Sequence, residues 1–209
     1  MHNKNYFVIA AVVAGELNKA MVIARQILLT ASNARALALR AGQGAAGFRP
    51  ITDFIDELAG STVTTSQTIN QKAQRLSQIA AESARATAAL DYFNGVYKKA
   101  PDAPYLGSLK PAYERTAKCQ RELATEFSAE AKALNEELQH LNKALRTAQI
   151  ISTMSSVEAS QAGSVFEAPL NNVATNVAES AQAIQHHVRY SLQLFSEIVK
   201  DDHAYKRTV

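Results

Sequence analysis

The sequence predicts an all-α protein: an elongated antiparallel four-helix bundle or coiled coil, made of two helical hairpins in tandem. Three observations predict it. Alanine supplies thirty-eight of the 209 residues, and at a helical position it is worth up to about 1 kcal/mol over glycine. The eight glycines and five prolines are gathered rather than scattered. Between the gatherings, apolar residues recur at alternating steps of three and four, the spacing of a coiled-coil seam.

The breakers mark the joints. Gly42, Gly44, Gly47 and Pro50 form one cluster, and Gly95, Pro101, Pro104, Gly107 and Pro111 a second. Gly163 and Pro169 form a third, leaving only Gly15 and Gly60 elsewhere. Glycine is favoured just past a helix end, and proline is tolerated in the first turn, where its missing N–H costs nothing. Gly42 therefore ends one helix and Pro50 opens the next, and Gly163 and Pro169 repeat the arrangement. Four arms result, near 5–41, 50–94, 110–162 and 169–200. Residues 1–209 read as one helical bundle domain. Hairpin 1 covers about 5–94, a connector 95–109, hairpin 2 about 110–200, and a short tail 201–209. Such arms are about 50–80 Å long at ~1.5 Å per residue.

Each arm carries a seam. The first runs Ala10, Val13, Leu17, Ala20, Ala24, Ile27, Ala31, Ala34, Ala38 and Ala41. The second runs Ile51, Ile55, Leu58, Thr62, Thr65 and Ile69, breaks at Lys72, and resumes at Ala73, Leu76 and Ala80. The third runs Ala124, Phe127, Ala131, Leu134, Leu138, Leu141, Leu145 and Ala148. The fourth runs Leu170, Val173, Val177, Ala181, Ile184, Val188, Ser191, Phe195 and Ile198. Four such seams close on one another as a bundle.

Composition removes several classes. A hydrophobic fraction of 47% excludes disorder. One cysteine, Cys119, excludes a disulfide scaffold and a cysteine-based zinc site, and suits a reducing cytoplasm. A net charge of +3 is too mild to imply nucleic acid. The longest apolar run, residues 6–14, is about half the ~20 residues that span a bilayer, so neither a signal peptide nor a membrane anchor is expected.

Residues 33–48 read NARALALRAGQGAAGF, followed by Asp53, Leu58 and Ala59. This segment resembles the cytoplasmic hairpin tip of bacterial chemoreceptors, the methyl-accepting chemotaxis protein family. Asn33, Ala34, Ala38, Arg40, Ala41, Gly42, Gly47, Phe48, Leu58 and Ala59 follow that family's pattern without a gap. The departures are Leu37 and Gln43 in place of two family glutamates, Ala46 in place of an arginine, and Arg25 where a phenylalanine is usual. No acid lies between Glu16 and Asp53, while Lys19, Arg25, Arg35, Arg40 and Arg49 do, so this tip reads as basic. The resemblance implies a cytoplasmic signal-transduction protein without a cofactor. Its tip residues Asn33, Arg40, Gly42, Gly47 and Phe48 would meet a chemotaxis histidine kinase, a coupling adaptor or other receptors.

The second half echoes the first. Pro50, Ile51, Asp53, Phe54, Leu58, Ala59 and Ser61 find counterparts in Pro169, Leu170, Asn172, Val173, Val177, Ala178 and Ser180. Ala162-Gly163 matches Ala41-Gly42. Glu158, Gly163 and Phe166 then mark a second tip. Two hairpins in one chain would complete the bundle that two receptor chains build together.

Chemical motifs are sparse. Glu137 and His140 form an E-x-x-H pair, but a di-iron bundle needs two such pairs, and none precedes His186, His187 or His203. His186 and His187 are adjacent and diverge on a helix. Cys119 has no histidine at a nucleophile's spacing. Glu136-Glu137 is the only Glu-Glu pair, and Leu138 and Gln139 are not the small residues that follow a receptor methylation site. No P-loop, Rossmann or G-x-S-x-G pattern is present. The expectation is a non-enzyme with no metal. Tyr92, Phe93, Tyr97, Tyr105 and Tyr113 gather at the middle joint, where they read as an aromatic cap on the bundle or as a partner surface. Outside the resemblance, the chain reads as a helical scaffold or as an amphipathic bundle acting on membranes through residues 6–14.

Overall fold

The structure, a computed structural model, describes the backbone of residues 3–206 and the side chains of residues 8–196. Four helices carry the fold: α1 (Asn3–Ala41), α2 (Phe48–Lys99), α3 (Lys110–Gln161) and α4 (Ser164–Lys206). Single 3-10 turns stand at Gly42–Ala45 and Leu106–Leu109. No strand occurs among the described residues. Each helix packs on its neighbour in sequence, and α1 closes the ring against α4. Short links force consecutive helices to run antiparallel. Both hairpin turns therefore lie at one end and the connector between α2 and α3 at the other.

The seams form the core. On α3, Leu134, Leu138, Leu141 and Leu145 are buried and share one core cluster with Leu17, Ile27, Ile55, Ile69 and Phe195. On α1, Ala20, Ala24, Ala31, Ala34 and Ala38 are buried, and side chains this small let neighbouring helices approach closely. Polar seam positions satisfy themselves on the backbone, except Ser66, whose buried hydroxyl has no partner among the described residues. The Thr62 hydroxyl donates to the Leu58 carbonyl at 2.8 Å, and the Ser152 hydroxyl donates across to the Ala174 carbonyl of α4 at 2.8 Å. Two positions differ from the expected seams, besides Ala41, which is only partly buried. Leu123 is buried where Ala124 was expected, and Ser66 is buried where Thr65 was. The larger side chain wins the core in the first case. Ile198 lies outside the described side chains.

The joints shift in three places. Gly95 does not open the connector, because α2 continues to Lys99. One glycine costs a helix only about 1 kcal/mol, and so long a run absorbs it. What stops the helix is Pro101: the residue before a proline is pushed out of the α region, and Ala100 sits at φ −137°, ψ 59°. The connector is therefore 100–109, not 95–109. Pro169 does not open the fourth arm either. The helix begins at Ser164 and carries Pro169 inside it, near enough to its start that few backbone bonds are affected. The expected tail at 201–209 is helical through Lys206.

The far end departs most from expectation. No residue in 81–122 is buried, although both helices run through the segment. There α2 and α3 form a two-helix arm. The expected aromatic cap is not a cap. Phe93 and Tyr97 each meet Tyr113 edge-on, at centroid distances of 6.1 and 6.0 Å, and these contacts zip α2 to α3. Tyr92 and Tyr105 point into solvent.

Candidate functional site

At the first tip, α1 ends because Gly42 adopts φ +65°, a conformation only glycine takes without strain. The chain then makes one 3-10 turn and re-enters a helix at Phe48. Pro50 falls in that first turn, where its missing N–H is harmless. Ala45 and Phe48 are fully buried beneath the turn. At the second tip the reversal is tighter. Gly163 takes φ +84°, and its carbonyl accepts from the amides of Phe166 and Glu167, starting α4 at once.

The two tips touch. A side chain on Gly44 would sit 3.5 Å from the Ala162 carbonyl oxygen. A Cβ on Gly47 would collide with the carboxylate of Glu158. Gly47 has a helical φ of −70°, so it is not glycine for the sake of the turn. The carboxylate at the end of the flexible Glu158 side chain, from the other hairpin, lies over it. Below this contact, Arg35 of α1 reaches both Asp53, at 2.7 Å, and Asp56, at 3.4 Å, on α2. That clamp holds the first hairpin closed just under its turn.

The expected tip residues divide. Asn33 and Arg40 are exposed on α1, Arg40 in its last turn. Gly42 shapes the turn, and Gly47 lies beneath the Glu158 carboxylate. Phe48 was expected to meet a partner, but it is wholly buried and belongs to the core. Of the second set, Gly163 shapes its turn and Phe166 packs half-buried against the core. Glu158 is the side chain brought into contact with the first tip. The tip is also less one-sidedly basic than the first hairpin alone indicates. Arg40 and Arg49 find no carboxylate among the described residues, yet Glu158 and Glu167 stand at the same end. Around them lies an apolar rim that the seams do not reveal: Leu39 on α1, Met154 and Val157 on α3, and Val165 on α4, all exposed. The signal for it was in the sequence, as apolar residues at the off-seam positions nearest the turns.

A second polar cluster lies mid-bundle. Glu16 of α1 meets His187 Nδ1 of α4 at 2.6 Å and Lys19 Nζ at 2.7 Å. The hydrogen bond from Lys19, and then that from His187, hold the Glu16 carboxyl below its ordinary range. These residues are 171 apart in sequence, so no local spacing signals the pairing. Among the described residues, no group of three His, Cys, Asp or Glu side chains converges as metal ligands would. Cys119 is exposed on the arm. No described helix is long and apolar enough to cross a membrane.

Fold and tip together define a class: an antiparallel four-helix bundle with its two turns docked into one composite end. No protein-family model and no curated protein matches the chain in sequence.

Proposed function

We propose that the protein is a chemoreceptor-like signal-transduction module that works by protein–protein contact through its paired tips. The observation that carries this reading is the tip itself. A segment resembling the receptor hairpin turn lies beside the second turn, with the Glu158 carboxylate over Gly47. The composite end offers exposed cations at Arg40 and Arg49, acids at Glu158 and Glu167, and an apolar rim. Apolar surface with a polar border is the usual makeup of a protein interface. The partners the resemblance implies are a chemotaxis histidine kinase, a coupling adaptor and other receptors. Small shifts in the seams would carry a signal to or from the tip.

Co-sedimentation with the kinase and adaptor tests this. The expected result is saturable binding that weakens about tenfold in Arg40→Ala, the loss typical of an interface arginine, with helicity unchanged by circular dichroism. Absence of binding by the folded wild-type protein would overturn the reading and leave a helical scaffold.

A further inference from the structure

The outward face of α1 is unlike that of an ordinary bundle helix. Its core positions lie at Ala10, Val13, Leu17, Ala20, Ala24 and onward. The position diametrically outward, normally charged, falls at Val8, Gly15, Val22, Leu29 and Ala36. None of the five is polar, and all are exposed, Leu29 to 70%. The outward position stays outward, because a seven-residue repeat holds a constant phase along a supercoiled helix. The stripe from Val8 to Ala36 is thus an apolar edge about 42 Å long, measured along the helix. Because α1 is one corner of a four-membered ring, α2 and α4 recede on either side and leave this edge open.

Gly15 is the second anomaly. It sits inside a helix, where glycine is unfavourable, and a Cβ built on it would meet nothing within 4 Å. Nothing within the chain requires a glycine there.

Charge selects the occupant. The only acid on α1, Glu16, is engaged by Lys19 and His187, and it neutralises Lys19 in turn. The centre of the face is left nearly neutral, with Arg25 as its one unpaired cation among the described residues. An anionic surface has little to grip. A second copy fits better. When two α1 helices are laid antiparallel about Val22, Val22 meets Val22, Leu29 meets the gap at Gly15, and Val8 meets Ala36. On the flanks, Lys19 falls opposite Gln26 and Arg25 opposite Asn18. Large side chains face small ones, and no two charges of one sign oppose each other.

We infer that the outward edge of α1 is a self-complementary surface on which two copies of the protein pair antiparallel about a two-fold axis at Val22. Such a pairing is isologous and closed, so it ends at the dimer. A helix-on-helix strip this long and about 10 Å wide buries on the order of 400 Å² per copy. That is about half of a standard interface, so the dimer is a weak one, with a dissociation constant in the micromolar range. It leaves both tips free, at opposite ends.

Sedimentation equilibrium across about 1–200 μM gives the first test. The expected average mass climbs with concentration from 22.6 kDa toward twice that value. Gly15→Leu fills the gap and should weaken association at least fivefold while helicity stays the same or rises. A register test follows, in a Cys119→Ser background. Val22→Cys should form a disulfide-linked dimer on mild oxidation. Val8→Cys alone should not, but it should cross-link to a second chain carrying Ala36→Cys. A wild-type protein monomeric over the whole range overturns the inference, as does Gly15→Leu associating normally or Val8→Cys cross-linking to itself as readily as Val22→Cys. A monomer that instead binds phosphatidylglycerol vesicles, and loses that binding in Leu29→Glu, assigns the edge to lipid and overturns it too. Failure of tip binding would leave these results untouched.

Discussion

Two side chains from two helices converge on the Glu16 carboxylate: Lys19 one turn along α1, and His187 across on α4. Their hydrogen bonds favour the charged form, so the carboxyl titrates lower in the folded protein than in the unfolded chain. The sign follows from linkage. A depressed carboxyl adds stability above its unfolded value near 4.5, and that stability is lost as pH falls through the folded value. The melting temperature should therefore drop between about pH 5 and pH 3. Glu16→Gln should flatten that part of the curve, and equal slopes in the two proteins would contradict the assignment. Gly47 shows a different residue-scale logic. The Glu158 carboxylate lies over it, which makes neighbours of two residues from different hairpins.

Among the elements, α2 and α3 do two jobs along their length. Over residues 48–80 and 123–161 they are walls of a four-helix core, and over 81–99 and 110–122 they are a two-helix arm. Backbone hydrogen bonds open more readily where little apolar surface is buried. Amide exchange should therefore be faster in the arm than in the walls, as hydrogen-exchange mass spectrometry would show. Gly95→Ala adds a Cβ that meets nothing within 4 Å and removes a helix penalty of about 0.5–1 kcal/mol. It should slow exchange in the arm and leave the walls unchanged. If the arm and walls exchanged alike, the division would fail.

Across the whole molecule, the two hairpins share one core rather than two. α3 packs on α2 on one side and on α4 on the other, and all four helices contribute buried residues to one main cluster, beside a small one of Leu58, Ala148 and Ala181. Leu138 is fully buried in that ring. Leu138→Ala should cost about 2–5 kcal/mol, as buried leucine truncations do. The loss should appear in a single thermal transition that melts both hairpins together. Two separated transitions would mean that the hairpins fold as independent units.

The helices, their seams and their turn-making glycines were legible in the sequence because each rests on local rules. A seam depends on steps of three and four, and Gly42 and Gly163 depend on the positive φ that only glycine adopts freely. Helix limits were less legible. A lone glycine such as Gly95 is cheap within a long helix, whereas Pro101 acts through the residue before it. The residues named at the tips fall at the two turns, but they do different things there. Phe48 is a core residue, and Gly47 lies beneath the Glu158 carboxylate of the other hairpin. Tertiary structure alone decided what meets across helices: Arg35 with Asp53 and Asp56, Glu16 with His187, and the uncovered arm. These depend on how far each helix extends and which faces the ring turns inward, and periodicity within one helix carries no record of its neighbour's length or register.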